Sequence, residues 1–363
     1  MKTPNLRFKE FSDEWETSQF GDYLKSISSG KSIVRHASIG EYVFYGSTGK
    51  IGHTDRAEYT GKKILIARVG ANAGSIYYVD GQYAVSDNTL VVDLLSNLNI
   101  NFIFYYLKRY NLKRMVFGTG QPLVTGGQIK KLTVTLPKNS EQQKVAEFLT
   151  GVDERIKLHD KKIKLLQKYK RGIMQKIFSQ QIRFKDENGR DYSDWQEKKL
   201  SEVSTIVKGQ QRNKDTLTNY SKYPVINGGI SPSGFTDDWN EEANTITVSE
   251  GGNSCGYVNL IKSKFWSGGH CYSLLVEKNV NNFFLYQYLK YTQLEIMRLR
   301  VGSGLPNIQK NDIYKLKLYL PVEEEQQKIA EFLTSFDDRI ELERSYLEQA
   351  KQFKKALLQR MFV

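Results

Sequence analysis

The 363-residue sequence holds 53 Lys and Arg against 40 Asp and Glu, a net charge of +13, and a hydrophobic share of 39%; that is enough for two or three domains with a sizeable core. The charge excess favours a polyanionic partner, nucleic acid first and an anionic membrane surface second, over an acidic small molecule. With no run near the roughly 18 apolar residues of a spanning helix, no signal or lipidation motif, and only Cys255 and Cys271, the composition argues against a membrane protein and a disulfide scaffold; a reducing, cytoplasmic setting is expected.

In chain order, the first part opens with short β-type runs such as 63–67, separated by Gly, Asn and Ser turns. An aromatic-rich helix is expected over 102–110 and a strand over 132–136, closed by Pro137. A long helix then spans 142–178, free of proline, with glycine only at Gly151 and Gly172. The same succession follows again: a strand at 245–248, a helix at 283–291, a strand at 314–320 closed by Pro321, and a second long helix.

The order recurs because the sequence does. Leu136-Pro137, then Glu141-Gln142-Gln143-Lys144-Val145-Ala146-Glu147-Phe148-Leu149-Thr150 and Asp153-Glu154-Arg155-Ile156, returns as Leu320-Pro321, Glu325-Gln326-Gln327-Lys328-Ile329-Ala330-Glu331-Phe332-Leu333-Thr334 and Asp337-Asp338-Arg339-Ile340. Arg7-Phe8-Lys9 with Trp15 answers Arg183-Phe184-Lys185 with Trp195, and Gly118-Thr119-Gly120-Gln121-Pro122 answers Gly302-Ser303-Gly304-Leu305-Pro306. The chain is a tandem duplication. Between these anchors the halves diverge: Tyr45 to Lys50 faces Ile226 to Ser231 with similar turn chemistry and different side chains.

Apolar residues of the first long helix, Leu149, Val152, Ile156, Ile163 and Leu166, follow alternating steps of three and four, the signature of a coiled-coil seam. The second gives Leu333, Phe336, Ile340, Leu347 and Leu357 in the same phase. Phe148 and Phe332 join these as candidate residues for helix packing or for a partner subunit. Each helix spans about 50 Å. Polar residues interrupt the seam at His159 and Lys170, matched by Glu343 and Lys354. A parallel pairing sets Lys170 against Lys354, whereas an antiparallel one with Leu166 opposite Leu347 brings Lys170 to Glu343 and Lys354 to His159; antiparallel helices are predicted. The segment from Leu6 to Trp15 repeats the one after the first helix, so it should dock where the second helix ends. The fold class is α+β: two α/β domains separated by two long antiparallel helices, with pseudo-twofold symmetry.

No catalytic constellation emerges. A methyltransferase needs a Gly-rich cofactor loop and an Asn/Asp-Pro-Pro-aromatic motif, and no Pro-Pro pair exists. Gly70-Ala71-Asn72-Ala73-Gly74 and Gly251-Gly252-Asn253-Ser254-Cys255-Gly256 share only glycine content with phosphate loops; they suit close approach of backbone to DNA better. Gly30-Lys31-Ser32 lacks the first glycine of a Walker loop, where Lys25 stands. His36, His53, His159 and His270 have no metal-ligand spacing, so no metal is expected.

The duplicated Leu-Pro, Glu-Gln-Gln-Lys-(Val/Ile)-Ala-Glu-Phe-Leu and Asp-x-Arg-Ile series resembles the two conserved regions of type I restriction-modification specificity subunits, across essentially the whole chain. The resemblance implies target-recognition domains at 1–137 and 181–321 and conserved spacer helices at 138–180 and 322–363. It implies a non-catalytic subunit that reads a bipartite double-stranded DNA target. Two adenine methyltransferase subunits and two motor-nuclease subunits would be its partners. S-adenosylmethionine, ATP and Mg would sit on those partners, with no cofactor in this chain. Candidate DNA contacts are polar loop residues near glycine: Lys50, Arg56, Arg68, Asn72, Asn88, Thr119 and Gln121 in the first half. In the second they are Lys208, Gln210, Gln211, Arg212, Asn227, Asn253, Ser303 and Asn307. Arg and Lys suit phosphate or guanine, and Asn and Gln suit adenine. The rival readings are a stand-alone methyltransferase or nuclease, a sequence-independent architectural DNA-binding protein, and a coiled-coil adaptor that binds proteins alone.

Overall fold

A computed structural model describes residues 3–31, 40–118, 120–302, 304 and 306–363. Ser32, His36, Thr119, Ser303 and Leu305, singled out above, lie outside the described residues. The chain divides into two units: residues 1–160 with 345–363, and residues 161–344.

In the first unit, β1 (Glu16–Gln19) and β2 (Leu24–Ser29) precede β3 (Tyr42–Gly46), β4 (Gly49–Thr54), β5 (Tyr59–Thr60), β6 (Lys63–Ala67), β7 (Ile76–Val79), β8 (Gln82–Val85) and β9 (Thr89–Leu94). Helices α1 (Ile100–Tyr110) and α2 (Gly126–Lys130) and strand β10 (Thr133–Leu136) lead into α3 (Asn139–Phe178). One antiparallel sheet has the order β2-β9-β6-β7, a second the order β4-β3-β8-β5 with β3 and β8 parallel, and β1 pairs with β10. The strands β6 and β9 read as continuous apolar runs because both sheet faces are covered: Ile64 and Ile66 face one core with Phe102 and Leu107, and Leu65 faces another with Val85 and Tyr83.

The second unit repeats this plan. After α3 come β11 (Gln196–Lys199), β12 (Ser204–Lys208), β13 (Tyr223–Ile226), β14 (Phe235–Thr236), β15 (Thr245–Ser249), β16 (Val258–Ile261), β17 (Trp266–Ser267) and β18 (Cys271–Val276). Helices α4 (Asn282–Tyr291), α5 (Gln293–Arg298) and α6 (Lys310–Tyr314), strand β19 (Lys317–Leu320) and α7 (Glu323–Arg360) complete the chain order. The sheets are β12-β18-β15-β16, β14-β13-β17 with β13 and β17 parallel, and the pair β11-β19. Each element of the first four-stranded sheet has its counterpart in the same place.

The repeated motifs earn their residues by closing each unit. Arg7 donates from Nε and Nη2 to the buried Glu141 carboxylate at 2.7 and 2.7 Å, and Phe8 meets Phe148 edge to face. In the second unit Arg183 Nη2 donates to Glu325 at 2.7 Å and Phe184 meets Phe332. Gln142 donates to the Pro137 carbonyl and accepts from the Asn99 N–H that starts α1; Gln326 does the same with Pro321 and Asn281. The Glu-Gln-Gln-Lys signature is therefore a clamp that locks a long helix to its domain. Phe148 and Phe332 pack against these arms within the chain; the seam positions Leu149 and Leu357 join the core of the first unit, and Leu333 that of the second.

The expected docking of the leading segment holds. In the first unit the Leu6 N–H donates to the Arg360 carbonyl at 2.8 Å, and Phe362 packs on Phe102 with centroids 5.2 Å apart. The second unit shows the equivalent arrangement, Ile182 N–H to Lys176 O at 3.1 Å and Phe178 on Phe284 at 5.9 Å.

Within each unit the long helices run antiparallel, as predicted. Asp153 meets Lys354 and His159 meets the Tyr346 ring in the first. In the second, Lys162 pairs with Glu343, Tyr169 packs on Phe336 and Lys170 bonds Asp337. The register differs from expectation by about two helical turns: Lys170 takes Asp337 at 2.6 Å in place of Glu343, and Lys354 takes Asp153 at 2.5 Å in place of His159. A lysine stem is long enough to lie along the apolar seam and end on a carboxylate beside it. Burial lowers the Lys170 pKa, and Asp337 opposes that shift. Burial next to Lys170 pushes Lys290 down further, to about 8.

Candidate nucleic-acid interface

In each unit four turns converge where strands of the main sheet end. In the first, the Gly30 N–H donates to Thr89 O at 2.8 Å, Arg68 N–H to Asn88 O at 2.9 Å, Gly70 N–H to Pro122 O at 2.9 Å, and Val124 N–H to Arg68 O at 2.8 Å. In the second, Gly209 donates to Cys271 O at 2.9 Å, Glu250 to His270 O at 2.9 Å, Gly252 to Pro306 O at 2.9 Å, and Ile308 to Glu250 O at 2.8 Å. The two frameworks match bond for bond.

Glycine is obligatory at the closest crossing. A Cβ on Gly30 would lie 2.3 Å from the Ser86 and Val85 carbonyl oxygens, and one on Gly209 would lie 2.2 Å from Gly268 O. The loop glycines Gly70 and Gly252 instead have φ of +81 and +75 and open space where a Cβ would stand. They need glycine for the left-handed turn, and they leave the backbone bare toward solvent.

The side chains on this shared frame differ. In the first unit Arg68 is half-buried and donates from Nη1 to Ser29 Oγ at 3.1 Å, with Asn88 exposed beside it. In the second the equivalent of Arg68 is Glu250, nearly fully buried. Its Oε1 accepts from Lys208 Nζ at 2.6 Å and Tyr272 OH at 2.9 Å, and its Oε2 lies 3.8 Å from His270 Nδ1. Burial, and the hydrogen bond to Glu250, raise the Tyr272 pKa; burial pushes the Cys271 thiol up to about 11.

Sequence reasoning placed Arg68, Asn72, Asn88 and Gln121 on this frame. Gln121 is exposed in the turn closed by paired backbone bonds of Phe117 and Leu123, and Asn72 sits in the Gly70 loop. Lys50 is exposed on β4 opposite Tyr45. Arg56 is exposed beyond β4. In the second unit Lys208, Gln210 and Asn253 are exposed at the frame. Arg212 stacks on Trp266 at 4.5 Å and pairs with Asp238 at 2.8 Å, and the Gln211 amide donates to Arg212 O at 3.3 Å. The Asn227 amide oxygen accepts the His270 N–H at 3.2 Å, which makes it a brace for that turn. Asn307 pairs through its backbone with Val301 and accepts from Gln309.

Ser29, Glu250 and Trp266 escaped the sequence reading, and His270 was weighed there only as a histidine without metal-ligand spacing. A signal existed for Glu250, which stands the same six positions before Gly256 as Arg68 before Gly74. Among the described residues no group of His, Cys, Asp or Glu could hold a metal ion, and no helix is long and apolar enough to cross a membrane.

A duplicated reader of this kind, with one frame and two side-chain chemistries, defines a DNA-recognition protein with two unlike domains. The model of the type I restriction modification DNA specificity domain matches residues 12–168 and again 192–352. The chain is 26% identical to the type I restriction enzyme MjaVIII specificity subunit of Methanocaldococcus jannaschii, over 95% of this chain and 91% of that one. It is 27% identical to the EcoprrI specificity subunit of Escherichia coli over 41% of this chain and 38% of that one. Its fold matches the crystal structure of the type I restriction-modification S subunit from M. genitalium at TM-score 0.76 and 20% identity, covering 99% of both chains. A structure described as the basis of complex assembly and conformational transition of the type I R-M system aligns at TM-score 0.55 and 17% identity, over 96% and 97% of the two chains. The chain belongs to the type I restriction-modification DNA specificity family: it is a specificity subunit, the DNA-recognition component of a complex whose catalysis lies in partner subunits.

Proposed function

We propose that this subunit reads a bipartite double-stranded DNA sequence, one part through each unit, and directs adenine methylation and restriction by its partners. The supporting observation is the frame itself: identical backbone bonding in both units, with Arg68 in one and Glu250 in the other at the same place. One scaffold holding different polar groups is what two different base sequences require. In this reading the recognition domains are residues 1–137 and 181–321 and the spacer helices residues 138–180 and 322–363. Two methyltransferase and two motor-nuclease subunits complete the assembly, with S-adenosylmethionine, ATP and Mg bound on them. Exposed apolar side chains on the long helices supply contact area for the methyltransferases: Leu158 and Phe353 in the first unit, Leu165, Tyr169 and Leu342 in the second.

Methylome sequencing of a host producing this subunit with its methyltransferase tests the reading. The expected result is one two-part motif with a modified adenine in each part. The purified chain should bind DNA with an affinity that falls steeply with salt, and should not methylate it when S-adenosylmethionine is added. A contiguous motif, or methylation by the chain alone, would overturn the proposal.

A further inference from the structure

The two reading frames differ most at one equivalent pair of positions. Ser29 and Lys208 each end the first strand of the main sheet, and Arg68 and Glu250 each begin the glycine loop. In the first unit the cation is on the loop and the strand end supports it, Arg68 Nη1 to Ser29 Oγ at 3.1 Å. In the second the strand end carries the cation and the loop supports it, Lys208 Nζ to Glu250 Oε1 at 2.6 Å. Cation and support have exchanged places.

The kind of support follows from the kind of cation. A guanidinium is a planar fork whose donors are already arranged, so a single hydroxyl suffices to aim it. An ammonium on a four-carbon stem is free to rotate and is aimed only by a fixed counter-charge. Glu250 supplies one: its side chain is 7% exposed while that of Lys208 is 54% exposed. Tyr272 OH donates to the same oxygen at 2.9 Å, and the backbone on either side of Glu250 is bonded to His270 and Ile308. Buried this deeply, the carboxylate cannot meet a base edge itself; what it offers outward is Lys208.

We propose that this pair is the specificity-determining position of each unit. Resting on the half-site reading above, Arg68 contacts the O6/N7 edge of a guanine directly in one part of the target. Lys208 does so in the other part, with Glu250 as the positioning residue that fixes its ammonium. Both groups are donors matched to that acceptor edge.

The test is methylome sequencing of hosts producing the subunit, assembled with its methyltransferase, as Arg68→Ala, Lys208→Ala, Glu250→Gln, or the Lys208→Ala/Glu250→Gln double variant. Arg68→Ala should relax a single guanine in one part of the motif, and Lys208→Ala a single guanine in the other, each by about ten- to a hundredfold in preference. Glu250→Gln should relax the same base as Lys208→Ala, and the double variant should add nothing further. Thermal melting of each variant identifies any that fails to fold; Lys208 is at a half-exposed strand end, so Lys208→Ala decides the matter if Glu250→Gln does not fold. Folded variants that lose methylation evenly over all sites make these groups phosphate contacts and overturn the inference, as does relaxation of different bases by Lys208→Ala and Glu250→Gln, or an unchanged motif. Relaxation of both parts by Arg68→Ala would instead strike the division into half-sites.

Discussion

The two units share their backbone and differ in what they place on it. Where the chain must be braced, both copies keep the same groups: Arg7 with Glu141 and Arg183 with Glu325, Gln142 and Gln326 on their prolyl carbonyls, Gly30 and Gly209 at the tight crossing. On the turns of the shared frame the side chains differ: the place of Arg68 is taken by Glu250 in the second unit, and that of Asn88 by His270. The duplicated halves keep the groups that close each unit and differ at positions on the turn frame, exposed at Asn88 and Lys208 and buried at Glu250.

The largest break in that comparison comes from the clamps. Glu325 is fully buried and accepts from both Arg183 at 2.7 Å and Trp195 Nε1 at 3.1 Å, whereas Trp15 Nε1 in the first unit has no hydrogen-bond partner. Removing one side of a buried ion pair costs about 3 kcal/mol or more. Glu325→Ala is therefore predicted to lose that much in urea denaturation, and Glu141→Ala about 1 kcal/mol less, the worth of the missing indole bond. Equal losses would mean that the indole contributes nothing.

Glycine substitutions come next and should separate frame from surface. Gly30→Ala and Gly209→Ala force a methyl into backbone carbonyls 2.3 and 2.2 Å away, and should destabilise by about 2–3 kcal/mol. Gly70→Ala and Gly252→Ala meet open space and face only the left-handed backbone penalty of about 1–2 kcal/mol. Thermal melts in which all four variants shift equally would contradict this ranking.

A smaller effect separates the helix-facing lysines. Burial lowers the pKa of Lys108 and of its counterpart Lys290, the latter to about 8. Between pH 8 and the ordinary lysine value near 10.5 the unfolded chain binds more protons at Lys290 than the folded one, so stability rises with pH across that window. Below pH 8 both states are protonated and the penalty is fully present. Buried thiols whose pKa is raised, Cys255 and Cys271, oppose the trend from about pH 9, and tyrosines such as Tyr286 and Tyr288 from about pH 10, so the rise should be read between pH 8 and 9. Lys290→Met should flatten it; an unchanged slope would remove Lys290 as its source.

The duplication, the strands flanking it and the antiparallel helices were legible in the sequence because each rests on a local pattern: repeats, apolar runs and a seam of steps three and four. The helix register was not. Reading the seam alone paired Lys170 with Glu343 and Lys354 with His159, whereas both lysines end on Asp337 and Asp153, aspartates of the repeated Asp-x-Arg-Ile motif lying beside the seam. The turn frame proposed to meet DNA was half legible. Glycines and exposed amides marked the loops, but Glu250 looked like any acidic residue until the fold buried it under Lys208. Asn227 and Arg212 looked like free contacts until the fold tied them to His270 and Trp266.

The claim on which this account depends is that the units read DNA independently. Grafting the first unit's loops 68–75 and 117–123 from a family member with a different target, and sequencing the methylome of the host, tests it most directly. The account predicts that one part of the motif changes while the other part stays as it was. A change in both parts, or a new motif unrelated to either parent, would contradict it.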